Sequence, residues 1–131
     1  MVGDLLTKPA PLAHLIGNRM RLTCSLHILQ RMQRVKHLGL LQFKEGVSEI
    51  QITMCFQALE SLKVNIPGLL DLAHGPYAGA EGLNDHFSHA FIMTFEDTKA
   101  LETYLPHPEH ERVKSLVLPH IKKLIVFDFL A

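Results

Sequence analysis

Three observations predict an α+β fold in which one antiparallel sheet carries helices on a single face. Apolar and polar residues alternate over Phe87–Phe95, which is the period of a strand. Ile52, Phe56, Leu59, Leu62 and Ile66 fall three or four apart, which is the period of a helix. Gly and Pro punctuate the chain so that the elements run strand, helix, strand, strand, helix, strand. With 131 residues the chain holds one core of this kind.

Val35–Phe43 is short and apolar and is closed by Lys44-Glu45-Gly46, as a strand is closed at a turn. Ser48-Glu49-Ile50-Gln51 then has the capping-box pattern, in which Ser and Gln side chains satisfy the free amides of a helix start. The helix it opens is stopped by Pro67-Gly68. Leu69–His74 reads as a short second strand, and Gly75–Asp85 as a Gly-rich loop. The third strand places Phe87, His89, Phe91, Met93 and Phe95 on one face, and Ser88, Ala90, Ile92 and Thr94 on the other. Glu96-Asp97-Thr98 opens a second helix, which ends near Tyr104-Leu105 and is broken by Pro106. A further helical turn starts at Pro108, since proline suits the first helical position. Leu124–Leu130 is the last strand. This order is that of a ferredoxin-like unit.

The helix-covered face of the sheet is expected to hold Phe87, Phe91, Met93 and Phe95 together with His37, Leu41 and Phe43. Leu38, Leu40 and Ile92, with Leu124 and Val126 beside them, fall to the opposite face, which is too apolar to stay wet in a monomer. A homodimer joined through that second face is the expectation.

Composition removes several functions. Thirteen basic residues balance thirteen acidic ones, and no stretch gathers Lys and Arg, so nucleic acid is not expected as a partner. Apolar runs fall short of the 18 residues a membrane helix needs. Cys24 and Cys55 stand far apart without a CxxC spacing, which fits a reducing, cytoplasmic setting. Residues 1–31 differ from the rest, with four basic residues against one acid, and are read as an extension upstream of a domain at 32–131 that starts at Met32. An organellar transit peptide is the minority reading of the same segment.

The unusual feature is nine histidines in a chain with two tyrosines and no tryptophan. Alternation points His37 and His89 into the space between sheet and helices, and Tyr104-Leu105-Pro106-His107-Pro108-Glu109-His110 brings a phenol and two more imidazoles to its edge. Such a cluster suits acid–base chemistry on a carbonyl compound, with an imidazole exchanging the proton and a phenol holding the oxygen. Each residue also has a structural reading. His37 and His89 fit buried imidazoles bonded to backbone or to each other, His107 fits a helix cap, and Tyr104 fits a core aromatic. His110, in the first turn of its helix, is the residue whose neutral form the dipole favours. Phe56 and Leu59 would form the stem of a pocket. His86-x-x-His89 and His107-x-x-His110 resemble paired metal ligands, but strand spacing sets the first pair on opposite faces and no cysteine completes a site, so no metal is expected. Nor does Gly75–Gly82 have a phosphate-loop spacing.

Val35-Lys36-His37-Leu38, Ile66-Pro67-Gly68, Phe87-Ser88-His89-Ala90-Phe91, the Tyr104–His110 run and Val126-Phe127-Asp128-Phe129 together resemble the stress-responsive A/B barrel family, often shortened to Dabb. The resemblance spans residues 35–129. It implies a ferredoxin-like unit paired as a dimeric α/β barrel, and a protein that binds a small, partly apolar molecule without a cofactor. Because the family includes a plant polyketide cyclase, it also implies a second reading, a cyclase or lyase closing a ring by intramolecular aldol chemistry. In that reading His110 and Tyr104 are catalytic, and His37, His89, His107, Phe56 and Leu59 contact the substrate. A non-catalytic stress protein with structural histidines is the third.

Overall fold

The computed structural model describes residues 33–131; what the sequence suggests for residues 1–31 and for a start at Met32 lies outside the described residues. Four strands and three helices form the fold: β1 (Val35–Phe43), α1 (Glu49–Asn65), β2 (Leu69–Pro76), β3 (His89–Phe95), α2 (Thr98–Tyr104), α3 (Pro108–Val117) and β4 (Ile121–Leu130). A 3-10 turn at Leu118–His120 links α3 to β4. The sheet is antiparallel throughout, in the order β2-β3-β1-β4, which is the ferredoxin-like arrangement expected from the element order. Among the described residues no helix is long and apolar enough to cross a membrane.

Local chemistry sets the boundaries. The capping box at Ser48 is formed on both sides: the Gln51 amide donates to the Ser48 hydroxyl, and the Ser48 amide donates to the Gln51 side chain at 2.9 Å. Gly68 takes a left-handed turn at φ +82°, and a Cβ there would stand 2.6 Å from the Cβ of Ala100. The Asp97 side chain caps α2, and the His107 ring caps α3 by accepting from the Glu109 amide at 3.1 Å. Three boundaries differ from the sequence reading, the first being β3, which starts at His89 and not at Phe87. Strand β2 continues to Pro76, because Gly75 and Pro76 still face Ala90 and His89. Strand β4 starts at Ile121, directly after the 3-10 turn.

The core lies between the sheet and the helices, where Phe95, Met93, Leu62 and Tyr104 are almost fully buried. Gly39 sits in the middle of β1 opposite Phe91, and the Phe91 ring occupies the space a side chain at 39 would need. The register of β4 corrects one expectation. Gly39 pairs with Val126 and Leu41 with Leu124, and directly opposed residues of antiparallel strands share a face. Leu124 and Val126 therefore lie on the helix-covered side with Leu41. The opposite face takes Ile125, Phe127 and Phe129 instead, alongside Leu38, Leu40 and Ile92.

Candidate functional site

A cavity of about 230 Å³ lies between the sheet and α3. Its lining combines Leu41, Phe91, Leu124 and Val126 of the sheet with apolar side chains of α1 and α3, among them Phe56 and Val113. This apolar lining is broken by His37, Tyr104, His110 and Lys114. The Tyr104 ring stands between the two imidazoles, with ring centroids 5.8 Å from His37 and 4.1 Å from His110.

The elements explain why these three meet. His37 is the third residue of β1 and faces the helices. Tyr104 is the last residue of α2, and the Leu105–His107 break returns the chain so that the first turn of α3 lays His110 over the Tyr104 ring, at 27° between planes. Pro108 at the first position of α3 fixes that return. Phe95 packs under Tyr104 at 5.0 Å between centroids and holds the phenol from below.

Each polar group has a defined state. The Nδ1 of His110 lies 2.9 Å from the Leu105 carbonyl oxygen. A carbonyl accepts only, so Nδ1 carries the proton and Nε2 is left with its lone pair. Burial holds this imidazole below its ordinary range, and the nearby charge of Lys114 acts the same way, against the opposing pull of the Leu105 carbonyl and Glu111. Tyr104 is 2% exposed. Burial pushes its phenol well above the usual tyrosine range, so it stays protonated. His37 is buried and its Nδ1 is hydrogen-bonded to Asp128 Oδ1, the residue directly across from it on β4. That contact fixes the His37 ring as a carboxylate fixes the imidazole in other acid–base sites.

Of the residues singled out from the sequence, His37, Tyr104, His110, Phe56 and Leu59 line this cavity. His89 and His107 do not. His89 faces the helices, as alternation required, but lies beyond the Phe56 ring, with centroids 5.4 Å apart, in an open groove shared with Glu49, Glu60 and His74. Its Nδ1 meets the Ser88 hydroxyl at 2.8 Å. His107 spends its Nδ1 on the helix cap. Asp128 was missed as a site residue, although the signal was present: it is the one charged side chain in the apolar run Leu124–Leu130.

The family profile for the stress responsive A/B barrel domain matches residues 35–131. Over 95 residues the chain is 28% identical to olivetolic acid cyclase of Cannabis sativa, covering 72% of this chain and 94% of that one. It is also similar to the crystal structure of At3g17210 from Arabidopsis thaliana, with a TM-score of 0.70 and 30% identity over 72% of this chain and 92% of the other. A dimeric ferredoxin-like protein of unknown function from Jannaschia sp. CCS1 superposes with a TM-score of 0.66 at 26% identity, covering 73% and 97% of the two chains. The match to the profile over nearly all of the described residues, with the β2-β3-β1-β4 sheet beneath it, makes this chain a member of the stress responsive A/B barrel domain family.

Proposed function

We propose that residues 32–131 form a unit that binds a small, partly apolar carbonyl compound in the cavity, with its oxygen end at the Tyr104 hydroxyl. The observation that carries this reading is the polar cluster itself: a protonated phenol lies between two imidazoles in a cavity whose lining is mostly apolar. Apolar walls supply affinity, and a few convergent polar groups supply orientation. Nothing in the arrangement calls for a cofactor.

Self-association is part of the proposal. The face bearing Ile125, Phe127 and Phe129 is 42–64% exposed at those side chains, and a similar ferredoxin-like protein is described as dimeric. Burying such a face against a second copy removes apolar surface from water at about 25 cal/mol per Å².

A second reading is favoured by one detail, the free lone pair of His110 Nε2 on a ring stacked against that of Tyr104. Nε2 takes a proton from a carbon flanked by two carbonyl groups, and the Tyr104 hydroxyl donates to the oxygen that gains charge. The enolate carbon then bonds to a second carbonyl carbon of the same molecule. The resulting alkoxide takes the proton back from His110, and a ring is closed with all protons accounted for. The similarity to olivetolic acid cyclase supports this chemistry for the present chain.

The test is thermal melting of the protein and of His110→Ala, each with and without a panel of phenols and β-keto acids. A ligand that raises the melting temperature of the parent and not of a variant with normal unliganded melting assigns His110 to the site. If the variant melts far lower and no ligand shifts the parent, His110 is a structural residue and the reading falls. Turnover of a β-polyketo acid by the parent separates the second reading from the first.

A further inference from the structure

Among the described residues that line the cavity, Lys114 is the single one with a fixed charge. It follows His110 by four residues on α3, so the two side chains leave the same face of the helix one turn apart. The ammonium pairs with Glu111 at 2.6 Å, but both side chains are more than a third exposed. An exposed pair of that kind holds its partners weakly, and an ammonium keeps further donors after one carboxylate is bound. Lys114 also acts on the site electrically, since its charge is among the causes that keep His110 neutral. Beyond it the wall turns apolar, through Val117 and Leu118 of the next turn and Leu124 of β4.

With Lys114 in a lining that holds no carboxylate, and its ammonium paired to Glu111 outside that lining, the cavity prefers one sign of ligand at this edge. We infer that the site selects an amphiphilic carboxylate, its head group at Lys114 and its hydrocarbon part against Val117, Leu118 and Leu124. This rests on the cavity-binding reading above and adds the charge of the ligand to it. A single lysine matches a single negative charge, which favours a carboxylate over a phosphate dianion.

Octanoate, 1-octanol and octylammonium carry the same chain with charges of opposite sign or none, so titrating the full chain with each isolates the head group. Octanoate is expected to bind about fivefold tighter than octanol, the size of a partly exposed ion pair, with octylammonium weakest. In Lys114→Gln the octanoate and octanol affinities are expected to converge within about twofold. Methyl NMR shifts of Val113 and Val117 report whether each ligand enters the cavity. If octanol shifts those methyls and octanoate binds no tighter, or if the preference survives in Lys114→Gln, the charge inference is overturned and the cavity reading stands. If none of the three shifts the methyls, the cavity reading falls and this inference with it.

Discussion

The imidazole of His110 lies on the phenol ring of Tyr104, centroids 4.1 Å apart, with its Nδ1 tied to the Leu105 carbonyl that ends α2. One backbone break thus fixes both the stacking and the tautomer. If this pair performs proton transfer, His110→Phe keeps the stack and removes the base, and the rate of ring closure is expected to fall about 10²–10⁴-fold. Tyr104→Phe deletes the hydroxyl and keeps the packed ring, so melting should change little while the rate falls about 10²–10³-fold. Steady-state kinetics and melting curves on the two variants check both; a Tyr104→Phe protein with parental turnover would remove the phenol from the chemistry.

Acid should weaken the fold through the same imidazole. Burial depresses the folded pKa of His110 and of His89 below the unfolded value of about 6.5. The unfolded chain therefore binds more protons, and the stability these groups contribute is complete above that value and lost as pH falls through the folded values. Melting temperature is expected to drop as pH falls from 7 toward 5. His110→Phe should reduce that dependence by roughly half, because each histidine contributes at most one proton to the difference. An unchanged slope in the variant would show that His110 is not held neutral.

Much of this arrangement was legible in the sequence, for identifiable reasons. Ser48 and Gln51 satisfy each other within four residues, and the alternation of β3 is local, so both elements could be read without the fold. Strand β4 could not be phased. Its run Leu124–Phe127 is apolar at every position, and a one-residue slip moves every side chain to the other face. Only the pairing with β1 places Leu124 and Val126 in the cavity wall and brings Asp128 to His37 across 91 residues. His89 shows a different limit: alternation gives the face but not the distance along it, and Phe56 divides that face into two spaces.

The partner of His37 gives a stability test. His37 is 5% exposed, and Asp128 bonds its Nδ1. Asp128→Ala leaves a buried ring nitrogen without a partner and is expected to cost about 1–3 kcal/mol. Asp128→Asn keeps an acceptor oxygen in reach and should cost about 1 kcal/mol or less. Denaturant unfolding of the two variants measures the difference; equal losses would mean that the contact with His37 does not set the cost.

Gly39 is required by the ring that crosses it. A Cβ at this position would stand 2.1 Å from Phe91 Cε1 and 2.3 Å from Cζ, well inside contact distance. Gly39→Ala must push Phe91 off the strand, toward the cavity it lines, and overpacking of this kind costs about 1–3 kcal/mol. Phe91→Leu in the same chain removes the ring and is expected to restore part of the loss. Unfolding free energies of the single and double variants form a cycle, and strict additivity would show that the two positions do not collide.

The proposed self-association gives a test on the outer face of the sheet. Phe127 is 64% exposed, lies directly opposite Leu38 of β1 and stands 6.4 Å from Phe129 between ring centroids. Its side chain points away from the cavity, so a charge there leaves the His37–Tyr104–His110 cluster untouched. Phe127→Lys is accordingly expected to convert a dimer to a monomer in light scattering at micromolar concentration, since two copies related by a twofold axis would each place an ammonium in an apolar contact. The monomer should also melt at a lower temperature that no longer depends on protein concentration. A parent that is monomeric, or a Phe127→Lys protein that stays dimeric, would move the interface off this face.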